Sequence, residues 1–157
     1  MAFVRNAVWW VVFSAFGVMA QAALPGVDFL VPGLVVSLQE ERWNQSLWLA
    51  LAFTLIQEGS GNLQFGSGLV WYGAVMCLFF VGRWLLEAKS ITFIIVLGAG
   101  LGLWHYLLVK WTAFLQELVI SDPLLIRESC IMAVMFPLLW MFVSWLRKGR
   151  DRDVLAA

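Results

Sequence analysis

Four places along this chain hold residues able to do chemistry. Glu40, Glu41 and Arg42 form a short charged run, and Gln57 with Glu58 precedes the glycine-rich stretch Gly59-Ser60-Gly61-Asn62-Leu63-Gln64-Phe65-Gly66-Ser67-Gly68. His105 is the sole histidine, and Arg147-Lys148-Gly149-Arg150-Asp151-Arg152-Asp153 is a mixed-charge tail. Paired acids can hold a metal or relay protons, but i, i+1 side chains diverge on a helix. That leaves Glu40, Glu41 and Arg42 as a solvated turn or as a docking point for a cytoplasmic protein. One imidazole cannot supply bis-histidine haem ligation. Nucleophilic catalysis by a histidine needs an oriented partner, and no motif supplies one. Cys77 and Cys130 lie apart in apolar stretches without a C-x-x-C, and they read as two small buried hydrophobes. No catalytic, metal-binding or cofactor-binding set is therefore expected, and the sequence offers no positive argument for an enzyme.

The elements that must position these residues are membrane spans. Of 157 residues, 62% are hydrophobic and 13% charged, with a mean hydropathy of +0.88. Soluble domains carry about 25% charged residues, and so short a soluble chain could not hide this much apolar surface. A span needs about 20 apolar residues. On that measure 7–24, 69–86, 91–109 and 129–146 are full spans, and Pro25-Gly26-Val27-Asp28 makes the turn after the first. Ala20-Gln21-Ala22 has the form of a signal cleavage site, but the apolar run before it is longer than a signal core and reads as a retained span. Between them, 29–39 and 45–57 are shorter apolar runs, the first interrupted at Pro32-Gly33. They fit two short spans, the favoured arrangement, or a re-entrant hairpin held inside the protein. The expected fold is an all-α integral membrane bundle of about six helices in one domain, with a basic tail over 147–157.

Charge sets the orientation. With six spans and an internal N-terminus, eight basic residues (Arg5, Arg42, Arg83, Lys89, Arg147, Lys148, Arg150 and Arg152) fall inside, and Lys110 and Arg127 fall outside. Basic residues collect on the cytoplasmic side, so both termini are expected there. The net charge is zero, which points to no nucleic-acid partner. Ten tryptophans, mostly near span ends, read as interfacial anchors. Gln57, Glu58 and His105 fall toward the outer side as a candidate polar cluster, because ionisable groups at membrane depth often mark pathways or partner sites. Their bland alternatives are a loop carboxylate at Glu58 and, at His105, a histidine bonded to another helix. Gly98 and Gly102 form a G-x-x-x-G stripe for close helix packing, within the chain first and with a partner second.

The order of features over 25–86 resembles the rod shape-determining protein D (MreD) family. Pro32-Gly33-Leu34-Val35-Val36 gives the proline before an apolar run, and Arg42 the arginine after a short turn. Glu58 stands before Ser60-Gly61, where the family more often has Asp, and Gly66 supplies the later glycine. The resemblance implies a non-enzymatic scaffold of the bacterial cell-elongation machinery in the inner membrane. It would bind the bitopic partner MreC and help organise a peptidoglycan synthase made of a polymerase and a class B penicillin-binding protein. The family is similar in fold to the S-components of energy-coupling-factor transporters. That implies an alternative: a small-molecule-binding transporter subunit whose outward cavity is lined by Gln57, Glu58, Asn62, Gln64 and His105, with an ATPase docked inside. An accessory subunit of another membrane complex is a third possibility.

Overall fold

The computed structural model describes the chain over 2–24, 26–59, 66–118 and 120–155, with side chains placed from residue 4 to residue 149 within those ranges. Six helices follow one another: α1 Ala2–Ala23, α2 Val31–Gln39, α3 Trp43–Gly59, α4 Ser67–Leu85, α5 Ile91–Leu115 and α6 Asp122–Leu155. Among the described residues there is no strand. α1, α4, α5 and α6 are long and apolar enough to cross a membrane.

The short helix is the centre. All eight residues from Val31 to Leu38 are buried, under α3, α4 and α6. Pro32 sits in the first turn of α2, where a missing N–H removes no helical hydrogen bond. Glu41 takes a left-handed φ of 59° and turns the chain back toward α3. At 1.5 Å per residue, α2 rises only about 14 Å and α3 about 25 Å, against a hydrocarbon core of about 30 Å. Polar staples join this hairpin: the Ser37 and Ser46 hydroxyls are 2.9 Å apart, and Gln45 Nε2 donates to Ser37 Oγ at 3.0 Å.

Two glycines let the backbones of α5 and α6 approach closely. A Cβ on Gly102 would stand 2.7 Å from the Ser129 carbonyl oxygen, and one on Gly98 2.9 Å from that of Ala133. The G-x-x-x-G stripe is thus occupied by α6 of the same chain. At Gly33 the Phe13 ring fills the space a side chain would need, which brings α1 against α2.

α1 is fastened along one edge only. Trp10 and Gly17 are buried there, and Leu30 lies where a Gly17 side chain would be. Val4, Val8, Val11, Val12, Phe16 and Met19 face outward.

The last helix outruns its apolar stretch, and two expectations need correction. Helix α6 begins at Asp122 and continues to Leu155, so the backbone of the tail is helical almost to its end; the side chains from residue 150 onward lie outside the described residues. Charged residues such as Arg127 and Glu128 end an apolar run without ending a helix. Cys77 and Cys130 are both exposed. Cys77 falls two residues from each of the buried Val75 and Phe79, about 200° away around the helix. The tryptophans, finally, divide: Trp84 is exposed, but Trp10 and Trp71 belong to the core.

Candidate functional site

Polar side chains gather at the two ends of α2. At its C-terminal end, Arg147 reaches in from α6 and is 3% exposed. Its Nε and Nη2 donate to the two Glu40 oxygens at 2.6 and 2.8 Å, and Nη2 also donates to Asn6 Oδ1 at 2.9 Å. The guanidinium lies 4.8 Å from the Trp9 ring centre and 5.2 Å from that of Trp10. Gln39, next in line, donates to the Ala88 carbonyl and accepts from Trp140 Nε1 at 2.9 Å. This knot ties α1, α2 and α6 together and meets the α4–α5 turn.

At the N-terminal end stands Asp28. Its Oδ1 accepts from Gln21 Nε2 and the Leu30 backbone N–H, both at 2.8 Å. Its Oδ2 accepts from Trp71 Nε1 at 2.8 Å and from the Tyr72 hydroxyl at 3.0 Å. Asp28 is half-buried, and these four bonds engage both of its oxygens. Among the described residues no cation forms an ion pair with it.

Asp28 also lines a cavity of about 670 Å³ that lies between α1, α3, α4, α5 and α6. Gln21, Gln57, Trp71 and His105 share its wall, and Val18, Ile56, Leu108 and Met132 make it mostly apolar. Its volume falls within the range of about 300–1,000 Å³ usual for ligand pockets. Trp71 and His105 each lie fourteen residues from the helix end nearer the Arg147 knot, which places the cavity about 21 Å from that end.

The sequence-predicted residues separate. Gln57 and His105 share the cavity, and Gln57 Nε2 also donates to the Tyr72 hydroxyl at 3.4 Å. His105 Nδ1 pairs with Ser129 Oγ at 3.1 Å. Glu58 turns elsewhere and accepts from the Gly66 N–H at 2.8 Å. Gly66, at φ +91°, precedes the first turn of α4 in a conformation that suits glycine. Asn62, Gln64 and the Ser60-Gly61 pair lie outside the described residues. Glu40 and Glu41 diverge as adjacent helix-end residues do: Glu40 goes to Arg147, and Glu41 accepts from Arg83 at 2.6 Å on the surface. Arg42 is largely exposed, 3.8 Å from Glu40.

Asp28 was missed because Pro25-Gly26-Val27-Asp28 reads as a turn. A signal was present: a lone acid among Val27, Phe29 and Leu30 in a chain with few charges. Among the described residues no cluster of His, Cys, Asp and Glu is arranged to hold a metal. Comparison with protein-family models, curated proteins and solved structures finds no match for this chain.

Proposed function

We propose that this chain is a multi-pass protein of the bacterial inner membrane with both termini cytoplasmic. In this proposal it serves as a non-enzymatic scaffold of the cell-elongation machinery, as its resemblance to the MreD family implies. The observation that carries the scaffold role is the outer face of α1. Val4, Val8, Val11 and Met19 are exposed at spacings of four, three and eight, which place them on one stripe of a helix. A single spanning helix of an MreC-like bitopic protein would find there a continuous surface on an element held at one edge. Affinity purification from native membranes in mild detergent, followed by mass spectrometry, tests this. An MreC-like protein and a cell-wall synthase should co-purify, and Val11→Trp should reduce their recovery. Recovery of an ATPase module in their place would overturn the scaffold role.

A second reading is favoured by one observation, the cavity beside Asp28. It makes the chain a small-molecule-binding subunit, with Gln57 and His105 among the lining groups.

A further inference from the structure

We propose that the cavity beside Asp28 takes a small organic cation, an ammonium group carried on an apolar body. The proposal rests on the second reading above and adds the class of ligand.

Charge carries the argument. The donors to Asp28, among them Gln21, Leu30, Trp71 and Tyr72, are neutral. The N-terminal end of α2 points toward this acid and supplies about half an elementary charge at most. Glu128 lies within 4.0 Å of the position a Gly26 side chain would take, which adds a second acid near the mouth. Among the described residues no Lys or Arg lines the space, and the basic side chain on its wall is His105, which pairs with Ser129. A half-buried carboxylate on the wall of a cavity attracts a full opposite charge placed there, and Glu40 at the other end of α2 has one.

Room and exchange follow from the same residues. Leu30, Trp71 and Tyr72 belong to the central frame, whereas Gln21 stands on α1, the helix held by one edge. The Gln21 amide is therefore the donor that a ligand N–H can displace. A charge-assisted hydrogen bond is about twice as strong as a neutral one, so the exchange favours the cation. Trp71 lines the same space, and an indole ring attracts cations. Val18, Ile56, Leu108 and Met132 leave room for an apolar body.

The test is calorimetric titration of the full chain in detergent with 4-phenylbutylammonium, 4-phenylbutanol and 4-phenylbutyrate. The ammonium should bind at least about tenfold more tightly than the alcohol, a difference of 1.4 kcal/mol. Asp28→Asn should erase that difference. Gln21→Ala, which frees one position on the carboxylate, should tighten the ammonium severalfold. Ile56→Trp, which fills the cavity, should abolish binding. If Asp28→Asn does not fold by circular dichroism, the ammonium-to-alcohol ratio and Gln21→Ala decide. Equal or tighter binding of the alcohol or the acid, lost in Ile56→Trp, would overturn the cation while leaving a ligand-binding subunit standing. Binding that survives both Asp28→Asn and Ile56→Trp is partition into detergent and overturns the proposal. No binding of any of the three compounds overturns the cation and the second reading together.

Discussion

Glu40 and Asp28 flank the same nine-residue helix, yet the protein answers their charges differently. Glu40 follows the C-terminal end of α2, where the helix dipole is negative and an acid is disfavoured. It is met by the guanidinium of Arg147, with both oxygens engaged. Asp28 precedes the N-terminal end, where the dipole favours an anion, and the side chains that meet it are neutral donors. The polarity of one short helix thus decides which acid needs a cation from within the chain.

The largest effect should come from breaking the closed end. Arg147→Met leaves Glu40 with only the exposed Arg42 nearby, and an SDS unfolding titration should show a loss of about 3 kcal/mol. Changing Glu40→Met as well should recover most of it, because apolar pairs replace buried ion pairs at little cost. A double variant no more stable than the single one would show that packing, not charge, makes the knot.

Next in size is a change that disturbs the open end without touching its polar groups. Gly102→Leu drives a side chain into Ser129 and Ala133, beside His105. The same titration should fall by about 2 kcal/mol. Tyr72→Phe removes one side-chain donor to Asp28 and should cost about 1 kcal/mol. A loss as large as that of Arg147→Met would place the two ends on an equal footing. The smallest effect belongs to Glu41→Gln. Its bond to Arg83 is as short as those in the knot, at 2.6 Å, but both side chains are exposed. The change should stay within about 0.5 kcal/mol.

Much of the helical order was legible because hydropathy and breakers act locally. Pro32-Gly33 and the charged run at 39–45 mark the limits of α2, and Gly98 with Gly102 announces a close approach. The site was legible only in pieces. Gln57 and His105 stood out as polar groups in apolar stretches. Asp28 and Arg147 did not, since their partners lie far along the chain: Trp71 is 43 residues from Asp28, and Glu40 is 107 from Arg147. A turn acid and a tail arginine have ordinary local explanations, and only packing reveals that both are interior groups. Trp71 shows the same limit, because an indole near a helix end serves equally as an anchor or as a buried donor.

The placement of α2 also has a consequence for the order of assembly. The second helix to be made is covered by the sixth, and the acid that ends it waits for an arginine near the end of the chain. Until α6 is complete, α2 has α1, α3 and α4 beside it and Glu40 lacks the Arg147 guanidinium. The centre of this protein is therefore the part that closes last.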